Sequence, residues 1–185
     1  MSNIEKKYEL KTGEAIALIV IFLLNVLWFV CNLLTFSGDI SIQFLISTFM
    51  FADAAFYTYY GYKKPHGNNM RYLLLLQAIS IAVLVVVNGT TQPAFLTVNY
   101  LTSIILVAYM AGRLEHYKQN IVISVIVLIS KLISTFYYID VWSKAGTLTF
   151  TNAVSCFGST LIWLLIVSGY IIRFKLHKEA GLEDK

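Results

Sequence analysis

Apolar runs of about 20 residues alternate along this chain with short clusters of charge, Gly, Pro and Asn, and about 20 apolar residues are what a helix needs to cross a bilayer. The runs occupy residues 14–36, 40–62, 71–88, 93–112, 120–139 and 151–173. Turn or charge signals separate them at 37–39, 63–69, 88–93, 113–118 and 140–146. The pattern predicts an all-α, polytopic integral membrane bundle of six transmembrane helices. Its connections are short, so successive helices should be antiparallel neighbours. One domain, residues 14–173, then carries short cytoplasmic segments at 1–13 and 174–185. The first run is too long for the apolar core of a signal peptide and lacks a small-residue cleavage pattern, so it should remain in the mature protein.

Composition agrees with that class. The 185 residues are 58% hydrophobic and 13% charged, against about 25% charged in ordinary soluble domains. Twelve Tyr, twelve Phe and three Trp supply the rings that gather at membrane interfaces.

Charge sets an orientation. With both termini cytoplasmic, the inner side collects Lys6, Lys7, Lys11, Lys63, Lys64, Arg71, Arg113, Lys118, Arg173, Lys175, Lys178 and Lys185, against Lys144 alone outside. Cytoplasmic loops are the ones that carry excess Lys and Arg, so the chain is expected as a multi-pass protein of the cell membrane. Its inner surface would sit against anionic headgroups of the lipid bilayer. The basic residues form no stripe along one element, which argues against nucleic acid as a partner.

Two ionisable side chains fall inside apolar runs, Asp53 in the second and Lys131 in the fifth. Insertion scales put the cost of such a group at the helix centre at about 2.5–3.5 kcal/mol, so they are expected to pair or to have a function. Counted from the cytoplasmic ends of their runs, Asp53 and Lys131 lie at depths of roughly 14 and 17 Å. Asn25, Asn99 and Thr160 fall at roughly 17, 20 and 20 Å by the same count. Five of the six predicted spans therefore offer a polar group near one plane. Spacings of three and four add Trp28 and Asn32 to the face of Asn25, and Tyr57 and Tyr60 to that of Asp53. Lys131 has Ser124, Ser134 and Tyr138 along its stripe.

Aromatic walls with a few polar tips suit a small-molecule pocket. The candidate ligand-binding residues are Asp53, Lys131, Asn25, Trp28, Tyr57, Tyr60, Asn99 and Thr160. They fit a small transporter, channel or solute-binding subunit, with Asp53 and Lys131 as mutual counter-ions or as groups that a polar or amphipathic solute displaces. The alternative is a non-catalytic membrane module whose charged pair locks helices while it assembles with, or regulates, a second copy or a partner membrane protein. An intramembrane enzyme acting on lipids would need clustered acids, bases or metal ligands near the surface, and the sequence shows no such cluster. A desolvated lysine can also form a Schiff base, but retinal proteins typically carry theirs on the last of seven spans.

No cofactor is indicated. Phosphate-cradling glycine loops, dinucleotide fingerprints and zincin motifs are absent, and His66, His116 and His177 lack metal-ligand spacing. The loop at 63–71 reads as the basic anchor that the orientation requires. Cys31 and Cys156 lie within predicted spans and read as packing groups. Gly158, beside Ser155 and Ser159, reads as a point of close helix approach. A sequon at Asn88-Gly-Thr90 sits too near the bilayer to carry weight.

Overall fold

Long unbroken stretches of Leu, Ile, Val and Ala satisfy their backbone groups most simply as helix, and in the computed structural model every regular element among the described residues is an α-helix. The structure describes residues 12–35, 48, 52, 55, 69–88, 93–179 and 181. The helices are α1 (Thr12–Thr35), α2 (Asn69–Asn88), α3 (Ala94–Gly112), α4 (Tyr117–Lys144), α5 (Phe150–Cys156) and α6 (Gly158–Glu179). Three of them, α3, α4 and α6, are long and apolar enough to cross a membrane. Shorter apolar stretches lie in α1 and α2, at Ala15–Cys31 and Leu74–Val83.

The first, third and fourth apolar runs each become one helix with nearly the expected bounds. The fifth extends through residues 140–144, read from sequence as a turn. There the Lys144 ammonium pairs with Asp140 one helical turn earlier at 2.6 Å, and such exposed pairs support a helix end in water. Most of the second run, with Asp53, Tyr57 and Tyr60, lies outside the described residues.

The sixth run departs from expectation, because Phe157 interrupts it and separates α5 from α6. The hydroxyl of Thr149 caps the start of α5, accepting the Asn152 amide at 3.2 Å. At the other end, the last carbonyls of a helix have no partner inside it. Those of Ser155 and Cys156 accept from Trp28 and Thr135 on neighbouring helices, each at 2.9 Å. Side chains inserted at backbone groups are a recognised cause of helix interruption.

Packing follows the chain. α2 lies on α3, α3 on α4 and α4 on α6, while α1 covers α5 and α6. The Arg71 guanidinium donates to the Ala111 carbonyl at 3.1 Å, joining the start of α2 to the end of α3. The Tyr117 and His177 rings lie 4.9 Å apart, joining the start of α4 to the end of α6. Arg71, Arg113, Lys118, Lys175 and Lys178 are thereby gathered at one end of the bundle. Trp163, Leu165, Ile166 and Tyr170 make α6 the most enclosed helix, with Leu96, Val107 and Met110 of α3 in the same core.

Helix α4 is apolar outside and polar within. Val122, Ile126, Ile129, Ile133 and Phe136 are exposed, whereas Ser124, Lys131, Ser134 and Thr135 are buried. A soluble protein rarely leaves a continuous apolar stripe of that length uncovered.

Candidate functional site: a polar layer at the middle of α4

Residues three and four apart share a helix face, and Ser124, Val127, Lys131, Ser134 and Thr135 are all turned inward. Lys131 lies about 20 Å from either end of α4 at the usual rise per residue. Its side chain is 1% exposed, and its Nζ sits 4.4 Å from the centre of the Tyr100 ring on α3. Among the described side chains no carboxylate reaches it, because those of Glu115, Asp140 and Glu179 stand at or near helix ends. A ring face attracts a desolvated cation by about 2 kcal/mol, well short of what burying the charge costs.

Asn99, beside Tyr100, joins α3 to α4. Its amide donates to the Ser130 carbonyl at 3.1 Å and to the Ser134 hydroxyl at 3.0 Å, and the Ser130 hydroxyl donates back to its Oδ1. Ser134 also donates to the Ser130 carbonyl at 3.2 Å. Tyr138 of α4 lies beside Tyr100.

One turn beyond Lys131, Thr135 connects α4 to the interrupted pair. Its single proton goes to the Cys156 carbonyl, so in the 3.1 Å contact with Thr160 the latter is the donor. On the far side Trp28 donates its indole N–H to the Ser155 carbonyl and closely approaches Gly158. A Cβ on that glycine would fall 2.0 Å from Trp28 Cε2. Close approach is thus what Gly158 provides, as its sequence context suggests.

Of the residues singled out from sequence, Lys131, Asn99, Thr160 and Trp28 belong to one layer, linked through α4 and the interruption at Phe157. Asn25 is fully buried one turn from Trp28; its amide donates to the Ile21 carbonyl at 2.9 Å. Its Oδ1 has no partner among the described residues. Asp53, Tyr57 and Tyr60 lie outside the described residues, as do His66 and the Asn32 side chain. Cys31 and Cys156 are free thiols. No group of three metal-ligating side chains occurs among the described residues.

Sequence reasoning missed Tyr100, Ser130 and Thr135. Thr135 stands four residues from Lys131, so the spacing rule used for Ser134 and Tyr138 would have included it. Tyr100 gave no signal, since one tyrosine among twelve acquires its role only from the packing of α3 on α4.

Among the described residues the fold and the layer are those of an all-helical protein with three helices long and apolar enough for a membrane and a buried lysine at the middle of one of them. No family model, curated protein or solved structure matches the chain.

Proposed function

We propose that this chain is a small integral membrane protein of the cell membrane, with both termini cytoplasmic, that binds or passes a solute at mid-depth. The reversed polarity of α4, apolar outward and polar inward, supports placement in lipid. The site reading rests on one observation, the burial of Lys131 beneath Tyr100 at the midpoint of a helix of spanning length. Helix association is served well enough by Asn, Ser and Thr, whose interhelical bonds average about 0.6 kcal/mol. A lysine adds a desolvation cost that packing does not require, and intramembrane ionisable groups mark solute and ion pathways. Asp53 serves as its resting counter-ion in this reading, and Trp28, Tyr57 and Tyr60 supply aromatic wall. Asn25, Asn99 and Thr160 hold the layer in place. Nothing in the sequence resembles an ATP-driven engine, so movement of solute would be passive, ion-coupled or driven by a partner.

The reading predicts that the position of Lys131 can be reached by a polar reagent from water. In protein with Cys31→Ser and Cys156→Ser, a Lys131→Cys thiol in sealed membrane vesicles should react with a charged, water-soluble methanethiosulfonate. An inserted protein whose thiol stays unreactive would mean a dry layer, and would leave the chain as an assembly or regulatory module.

A further inference from the structure

Among the groups that join α3 to α4 and α4 to the interrupted pair, the hydrogen bonds leave the Lys131 ammonium over. Both protons of the Asn99 amide are committed to Ser130 and Ser134, the Ser130 proton to Asn99 and the Ser134 proton to a backbone carbonyl. Thr135 gives its proton to Cys156, and Thr160 gives its own to Thr135. Lys131 has three donors and faces a ring, which can receive one of them. Among the described residues it is the only basic side chain of this layer, and it has no oxygen acceptor. A ligand entering here meets an ammonium with donors to spare.

The surroundings describe the rest of the ligand. From Tyr100 an aromatic series continues through Tyr138 and Tyr137 to Phe95. Tyr137 lies 5.5 Å from Tyr138 and stands edge-on to Phe95 at 5.2 Å. Tyr137 and Tyr138 are half-buried, and Phe95 is exposed at the end of the bundle away from the basic cluster. Packed rings beside a single ammonium suit an apolar body with one anionic head. A single cation without an arginine fork matches one negative charge better than a phosphate dianion.

Resting on the mid-depth binding reading above, we infer that the solute is an amphipathic carboxylic acid whose carboxylate engages Lys131 while its apolar part lies along Tyr100, Tyr138 and Tyr137.

Benzoate, benzyl alcohol and benzylammonium have similar shapes and carry charges of −1, 0 and +1, which makes them a direct probe. Titrated calorimetrically into the full chain in phosphatidylcholine nanodiscs, with empty nanodiscs as blank, benzoate should bind saturably and at least about tenfold tighter than the alcohol, the equivalent of about 1.4 kcal/mol. Lys131→Met should abolish the preference and Lys131→Arg should retain it, with thermal unfolding of each unliganded variant confirming the fold. Benzylammonium binding as well as benzoate, or better, would overturn the acid assignment while leaving a site at mid-depth. Saturable binding of the alcohol with no preference between it and benzoate would do the same. If none of the three binds saturably, the acid assignment and the binding reading fall together.

Discussion

Lys131 carries the functional argument, and its burial has a consequence for stability. A buried charge without a close, well hydrogen-bonded partner is poor stabilisation, and its replacement by an apolar side chain of similar volume is often neutral or favourable. Lys131→Met should therefore keep the unfolding midpoint in detergent or raise it, while abolishing ligand response. A midpoint that falls steeply would identify the lysine as a structural tie. Its expected pairing with Asp53 is separable by a cycle of Asp53→Asn, Lys131→Met and the double variant. Coupling above about 0.5 kcal/mol is what interacting neighbours show, and simple additivity would remove Asp53 as the resting counter-ion. At Gly158 the expectation is steric. Alanine there drives a methyl into the Trp28 indole, and overpacking of this kind costs about 1–3 kcal/mol. Trp28→Leu removes the obstructing atoms, so the double variant should be more stable than the sum of the single effects predicts.

The interruption between α5 and α6 shows why an element can be hidden in a sequence that otherwise announces its helices. Hydropathy located the runs that became α1, α2, α3 and α4, because each is a property of neighbouring residues. The gap at Phe157 is settled elsewhere. Its carbonyls are taken by Trp28, 127 residues away in the chain, and by Thr135, 21 residues away. Neither donor is visible in residues 151–173, where Gly158 marks the close approach but not the break. The site divides in the same way. Depth counting placed Lys131, Asn99 and Thr160 at one level, whereas the tyrosine that covers the lysine depended on the relative rotation of α3 and α4. Thr135→Val keeps the shape and removes the donor to Cys156, and leaving a buried carbonyl unpaired costs about 1–3 kcal/mol. Thr102→Val is the matched control, because its hydroxyl bonds within α3 on an exposed face. A thermal-unfolding comparison should show a clear loss for the first and almost none for the second.

For the molecule as a whole, the contacts give the arrangement of charge a meaning that the sequence count alone lacks. Arg71 at the carbonyl end of α3, Arg113 beside Tyr109, and Lys118 near the Phe174 ring all stand at the end where α6 also finishes. The opposite end, around residues 140–149, carries the Asp140–Lys144 pair and uncharged polar residues. Helix α4 alone separates these ends by about 42 Å, more than the roughly 30 Å of hydrocarbon it would cross. Its orientation can therefore be tested without knowing how many spans the complete bundle has. In protein lacking Cys31 and Cys156, Ser143→Cys should react with a membrane-impermeant maleimide applied to intact cells, because the less basic end faces outward. Lys178→Cys should react only after permeabilisation, since α6 returns the chain to the end where α4 began. The reverse pattern would invert the topology and break the positive-inside argument. Equal labelling of both thiols in intact cells would mean that α4 does not cross the membrane, and the buried lysine would then lie within a soluble core.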